Sequence, residues 1–247
     1  MKRFLLLVVF SFCLLALHRL WPPIYEASHR RTDYAVEGID VSRYQAVFDW
    51  KNIAKADLDF AFIKATEGQE LSDTHFEHNW NSALINGVKR GAYHFFRPEV
   101  SAEIQAQHFF DQVELFPGDL PPVLDLEVKG NLSAEELVNA ATSWLQLAEA
   151  HYGIKPILYT GQKFYNRYLA GRFDDYPLWL ARYSNREPVA ACGRAFQFWQ
   201  YTQSGEIEGI AGKVDLNVFI GRLEELAALC VPAQEPENVE AYFAKGK

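Results

Sequence analysis

Apolar residues along the chain fall into short runs separated by longer stretches of helical period. Eight runs have the apolar, β-branched and aromatic content of strands, at 38–42, 59–65, 91–96, 122–128, 156–160, 178–183, 196–201 and 214–219. The best-defined helix is 134–152. Ser133 and Glu136 form a capping box there, Leu137, Ala141, Trp144, Leu145 and Ala148 make an apolar stripe, and Gly153 stops it. Further helices are expected at 75–86, 102–113, 163–170 and 223–229. Strands alternating with helices predict an α/β fold, a single-domain (β/α) TIM-like barrel. The connections at 183–196 and 201–214 lack a helical period, so the later strands are expected to be irregular.

The ends of the chain break this pattern. Lys2 and Arg3 precede an apolar run from Phe4 to Leu17, which reads as a signal peptide or N-terminal membrane anchor over 1–21. The run is short of the roughly twenty residues of a membrane span, and no small-x-small cleavage site is evident, so cleavage and retention both fit. Residues 22–35 read as a linker, 36–230 as the barrel domain, and 231–247, charged and with two prolines, as a disordered tail. Export is expected, with the protein periplasmic, secreted or held at the outer face of the cytoplasmic membrane. Cys192 and Cys230 then enter an oxidising compartment. A disulfide and two free thiols are both compatible with their spacing.

Strand parity directs the acids. Residues two apart on a strand share a face. Asp125 and Glu127 lie together with Val123, opposite Leu124, Leu126 and Val128. Taken alone, Asp-x-Glu fits a strand running out into a solvated acidic loop. However, Asp40 and Ser42 share a face opposite Ile39 and Val41, and Asp215 and Asn217 share one opposite Val214, Leu216 and Val218. Closure of a barrel makes the first and last strands neighbours, so four acids can converge at one mouth. Crowded, buried carboxyls hold their protons to higher pH, as a general acid near neutrality requires. Tyr93, Tyr159, Tyr183 and Trp199 lie at or near strand ends and are candidate flat faces for a cleft, though each taken alone fits core packing better; Gln200 and Asn217 fit hydrogen bonds to a ligand and to the barrel itself equally.

Composition narrows the partners. With 247 residues and 49% hydrophobic content, the chain can bury one large core. A formal net charge of −8 argues against nucleic acid, which calls for a basic face. His75 and His78 read as the polar face of a surface helix, so no metal site is expected. His94, between aromatics, reads as a hydrogen-bonded structural residue. Lys64 and Glu67 fit an ion pair bracing the barrel as well as they fit a substrate contact.

The segments Gly38-Ile39-Asp40-Val41-Ser42, Phe62-Ile63-Lys64-Ala65-Thr66-Glu67-Gly68, Gly91-Ala92-Tyr93-His94-Phe95-Phe96, Pro122-Val123-Leu124-Asp125-Leu126-Glu127, Leu178-Trp179-Leu180-Ala181-Arg182-Tyr183, Trp199-Gln200-Tyr201 and Val214-Asp215-Leu216-Asn217 occur in this order. Together they resemble the family 25 glycoside hydrolases, the Chalaropsis-type lysozymes, over roughly residues 37–220. The resemblance implies a modified (β/α) barrel that hydrolyses the β-1,4 bond between N-acetylmuramic acid and N-acetylglucosamine. It implies Glu127 as general acid/base, Asp125 as the residue managing the substrate's acetamido group, and Asp40 and Asp215 as supporting acids. The expected partner is the glycan strand of peptidoglycan, met by a monomer without cofactor, with the N-terminal segment as a candidate membrane tether. Spacing alone leaves retention and inversion open. The competing readings are a hydrolase of another N-acetylated glycan such as chitin, and a non-catalytic wall-binding protein.

Overall fold

The structure, a computed structural model, describes residues 30–233 apart from 32, 46 and 47. The expected leader, most of the 22–35 linker and most of the 231–247 tail lie outside the described residues. The strands are β1 (Val36–Val41), β2 (Phe60–Glu67), β3 (Leu71–Ser72), β4 (Lys89–Phe95), β5 (Val123–Asp125), β6 (Ile157–Gly161), β7 (Leu178–Ala181), β8 (Phe198–Gly205) and β9 (Val214–Phe219). The helices are α1 (Trp50–Lys55), α2 (Phe76–Ile85), α3 (Ala102–Phe110), α4 (Ala134–Tyr152), α5 (Gln162–Phe164, continued by the π-turn Tyr165–Leu169) and α6 (Leu223–Leu229). The sheet order is β1-β9-β8-β7-β6-β5-β4-β2-β3, and pairing of β1 with β2 closes it into an eight-stranded barrel with β3 appended to β2. Among the described residues no helix is long and apolar enough to cross a membrane.

Alternation along each strand sorts the core into two layers. Outward residues such as Ile39, Ile63, Leu124, Leu158 and Val218 pack with Trp80, Phe109, Trp144 and Leu145 of the surrounding helices. Inward residues Val36, Phe60, Phe62, Val123, Ile157, Phe198 and Phe219 fill the barrel. Phe62 stacks on Trp179 with ring centroids 4.5 Å apart and meets Phe198 edge-on at 5.3 Å. Each such ring removed from water contributes about 1.5–3 kcal/mol. Room for the rings comes from glycine on neighbouring strands. A Cβ at Gly38 would lie 2.5 Å from the Phe60 ring, and one at Gly91 would lie 2.6 Å from Phe62.

The irregular later strands expected from sequence take a definite form. Strands β1, β2 and β4–β8 run parallel, whereas β9 is antiparallel to both β8 and β1. The tight return from β8 to β9 extends β8 to Gly205, which pairs with Val214. Strand β5 is shorter than the 122–128 run. Leu126 still donates to the Tyr159 carbonyl, but the Thr160 hydroxyl takes the Leu126 carbonyl at 2.6 Å, and the ladder ends. Helix α4 matches its expected bounds, with the Ser133–Glu136 box formed and Gly153 in the left-handed conformation at φ 72°. Helix α1, capped by Asp49, and strand β3 had no clear signal in the pattern. Cys192 is exposed, Cys230 is buried, and both are free thiols.

Candidate active site

Inward-facing positions turn polar toward one mouth of the barrel. Asp40 on β1, Lys64 on β2, Tyr93 on β4, Asp125 on β5, Tyr159 on β6 and Gln200 on β8 all line a cleft of about 330 Å³, and so does Asp215. Asp215 is the second residue of its strand. In an all-parallel barrel it would lie at the far end from Asp40, but because β9 runs backwards Asp215 pairs directly with Asp40. Glu127 enters the same cleft from the segment just beyond β5. The four acids that parity singled out therefore meet in one place.

Their protons are shared in two pairs. Burial is the largest influence on each carboxyl, and it disfavours the charged form. Asp215 is pushed up to about 8, by burial and then by the negative charge of Asp40, to which it is hydrogen-bonded. Asp40 rises only to about 6, because Asn217 and Gln200 hydrogen-bond its charged form against the cost of burial. Asp125 is raised well above the ordinary carboxylate range by burial and by Glu127 beside it. Glu127 is raised by burial, while its hydrogen bond with Asp125 and the Lys64 ammonium oppose the rise. Lys64 is itself tied to Glu67 at 2.6 Å, and Glu67 also binds Arg97.

These raised carboxyls give stability a definite pH dependence. Asp40 and Asp215 bind their protons more tightly in the fold than at their ordinary value of 3.8. The stability they contribute is therefore complete below about pH 4 and is lost as pH rises through about 6 and then about 8. Urea unfolding at steps from pH 5 to pH 9 is expected to show this decline, and Asp215→Asn is expected to flatten it. At pH 8 that variant should melt above wild type, by roughly 2–4 °C per kcal/mol recovered. A variant as pH-sensitive as wild type would contradict this origin.

Among the aromatic candidates, Tyr93, Tyr159 and Tyr183 line the cleft, with Tyr183 half-exposed at its rim. Trp199 does not. It is fully buried on the outer face of β8, its indole donates to the Arg182 carbonyl at 2.9 Å, and the Arg31 guanidinium lies 4.5 Å from its ring centroid. Adjacent strand residues point to opposite faces, so Gln200 in the cleft requires Trp199 outside it. Asn217 is buried behind the acids, donating to Asp40 at 2.8 Å and accepting from the Trp179 indole at 2.9 Å. Sequence reading passed over Trp179, Tyr44, Gln45 and Phe95, which also line the cleft. Parity with Tyr183 marks Trp179 as inward; Tyr44 lies in the loop after β1, where parity gives no guide. His94 is a structural residue of the outer layer. It bonds Thr66 at 2.7 Å and Gln105 at 3.0 Å, and burial pushes it down to about 3.

A closed barrel with paired, proton-sharing carboxyls beneath an aromatic rim defines a barrel glycoside hydrolase. Comparison with known proteins agrees. The family model described as Glycosyl hydrolases family 25 matches residues 39–210. Uncharacterized protein YegX of Escherichia coli strain K12 is 48% identical over 200 residues, 79% of this chain and 73% of its own. Lysozyme M1 of Streptomyces globisporus is 33% identical over 208 residues, 78% of this chain and 71% of its own. The solved structure of a family 25 glycosyl hydrolase from Bacillus anthracis superposes with a TM-score of 0.77 at 33% identity, covering 84% of this chain and 99% of that one. The chain belongs to family 25 of the glycosyl hydrolases, as an enzyme of the lysozyme type.

Proposed function

We propose that this protein is an exported muramidase that cleaves the β-1,4 bond between N-acetylmuramic acid and N-acetylglucosamine in peptidoglycan. The observation that carries the reading is the Asp125–Glu127 pair. These are two carboxyls hydrogen-bonded to each other on the wall of an open cleft, Asp125 buried and Glu127 exposed to the cleft. In this reading the proton that the Asp125–Glu127 pair retains passes to Glu127 as substrate binds, and Glu127 gives it to the glycosidic oxygen as the bond to C1 breaks. The acetamido carbonyl oxygen of the same sugar closes on C1, and Asp125 accepts the acetamido N–H. Asp125 Oδ1 is buried without a hydrogen-bond partner, which suits that acceptor role. Glu127, now ionised, takes a proton from the water that opens the cyclic intermediate, so the product keeps the configuration of the substrate.

Hydrogen-bonded carboxyls favour this route over two others. Inversion separates the two groups by roughly 6.5–9.5 Å to admit a water, and a carboxylate nucleophile stands roughly 5–5.5 Å from the acid. Asp40 and Asp215 support the site by limiting its net charge, and Tyr93, Tyr159 and Tyr183 offer faces and hydroxyls to the sugars. The reading requires no metal or cofactor and one copy of the chain, with the N-terminal segment serving for export or as a tether to the membrane.

Mass spectrometry of digested peptidoglycan tests this directly. Wild type is expected to release fragments with N-acetylmuramic acid at the reducing end, and Glu127→Gln is expected to release none. Fragments ending in N-acetylglucosamine would overturn the bond assignment. Faster release of reducing ends from chitin than from peptidoglycan would overturn the substrate, and binding without any release would overturn the activity.

A further inference from the structure

Gln200 occupies an unusual position among the cleft residues, because both ends of its amide are already engaged by the protein. It is buried at 3% exposure on the inner face of β8. Its Oε1 accepts from the Tyr159 hydroxyl at 2.8 Å and from the Tyr183 hydroxyl at 3.0 Å. Its Nε2 donates to Asp40 Oδ2 at 2.8 Å. With its NH₂ group toward Asp40, the amide takes both tyrosine hydroxyls as donors on its carbonyl oxygen. Asn217 is oriented in the same manner, since the Trp179 indole can only donate to it, and its own NH₂ group lies 2.8 Å from the same Asp40 oxygen.

Two amide donors on one oxygen favour a charged Asp40. The groups facing Asp40 are otherwise acidic or hydroxylic: Asp215 from β9, Asp125 from β5, Glu127 beyond it and Tyr93 from β4. The nearest cation in the cleft, Lys64, is engaged by Glu67. With Asp40 fixed as an acceptor, the proton of the Asp40–Asp215 pair belongs on Asp215, beside Glu127. At the other end of the same amide, Tyr183 is 52% exposed, and its hydroxyl is held at the rim by Gln200 together with Tyr159, itself bonded to the same amide oxygen.

We propose that Gln200 is a positioning residue for the muramidase reaction, holding Tyr183 upright for the sugar with one end of its amide and fixing Asp40 as the acceptor of the Asp215 proton with the other. The assignment of a sugar-binding role to Tyr183 rests on the function proposed above; the placement of the proton does not. Sugar binding and proton placement then depend on one side chain, and substitutions can separate them. Glutamate at this position keeps an acceptor for the two tyrosines and loses the donor to Asp40. Methionine keeps neither.

The experiment compares Gln200→Glu and Gln200→Met with wild type by two measurements. Carbon-13 NMR titration of aspartate-labelled protein, without substrate, reads the Asp40–Asp215 pair. Gln200→Met, which adds no charge, is expected to move its titration upward by about one pH unit or more, the loss of an N–H bond to a charged group. Steady-state kinetics on peptidoglycan read Tyr183. Gln200→Met is expected to raise KM roughly five- to tenfold, as loss of a neutral hydrogen bond allows, and Gln200→Glu to restore it close to wild type. An unchanged aspartate titration in the uncharged variant, or a KM raised equally in both, overturns the proposal; so does a lowered melting temperature as the only effect. If the methionine variant fails to fold, Gln200→Leu, also without charge or donor, decides the titration. Wild type that does not cleave peptidoglycan would refute the proposed function while leaving the NMR result to judge the proton placement.

Discussion

Glu127→Gln is expected to lower the turnover of peptidoglycan by roughly 10²–10⁴-fold, the range for removing a positioned general acid–base group. The upper part of that range is the expectation here, because in the proposed route the same carboxyl serves both the proton donation and the later activation of water. KM should change little, since the amide has nearly the shape of the acid and leaves the aromatic rim in place. Stability at neutral pH should not fall. The wild-type carboxyl is one whose charged form burial disfavours, and a neutral amide removes that cost. The wild-type pH profile carries the complementary sign. Glu127 must enter the reaction protonated, so kcat/KM is expected to decline as pH rises through its raised value, with the decline displaced upward from that of an ordinary glutamate. A Glu127→Gln protein that clears purified peptidoglycan at the wild-type rate would remove Glu127 from the mechanism, whatever the fate of the fold.

The site was legible in the sequence to the extent that side-chain direction on a strand is legible. Period-two alternation placed Asp40, Asp125 and Asp215 on inward faces, and closure of the barrel brought them together. The same rule, applied fully, rules out Trp199 and selects Trp179, since Gln200 and Tyr183 had already marked the inward parity of their segments. Strand direction was less accessible. Asp215 at the start of β9 reaches the mouth only because that strand is antiparallel, and a run such as Val214–Phe219 carries no mark of its direction. Residues supplied by loops were also out of reach. Tyr44 is 75% exposed beside the cleft, yet no periodicity assigns it a face. Pairings between distant polar side chains were equally hidden, and the Arg90–Asp119 pair is the one with the greatest structural consequence.

Asp119→Ala is expected to destabilise the barrel by about 3–5 kcal/mol, because it leaves a buried guanidinium without its counter-charge. Arg90 and Asp119 are 3% and 4% exposed and meet through two bonds, Nε to Oδ1 at 2.7 Å and Nη2 to Oδ2 at 3.1 Å. Arg90 also donates to the Trp80 carbonyl at 3.0 Å and lies 4.0 Å from the Trp80 ring centroid, so it cannot turn out to solvent without abandoning α2. Asp119 Oδ2 further accepts from the Phe116 backbone, and the Asp119 carbonyl accepts from Val231, tying the segment after α6 to the base of the barrel. In thermal unfolding this loss corresponds to a drop of roughly 6–20 °C for a chain of this size. Arg90→Met combined with Asp119→Leu should recover most of it, since an apolar pair of similar volume has no charge left to desolvate. Activity measured well below the transition should persist in every one of these variants. Arg90 enters at the start of β4, whereas the cleft acids gather near the ends of β1 and β5 and the start of β9. The contrast between the two ends is physical. At the base, a buried acid is matched by a base and stabilises the fold. At the mouth, four crowded acids share the nearby Lys64, which is already engaged by Glu67, and the protons they retain as a result are what the proposed chemistry uses. A loss of activity without loss of stability in Asp119→Ala would contradict that division.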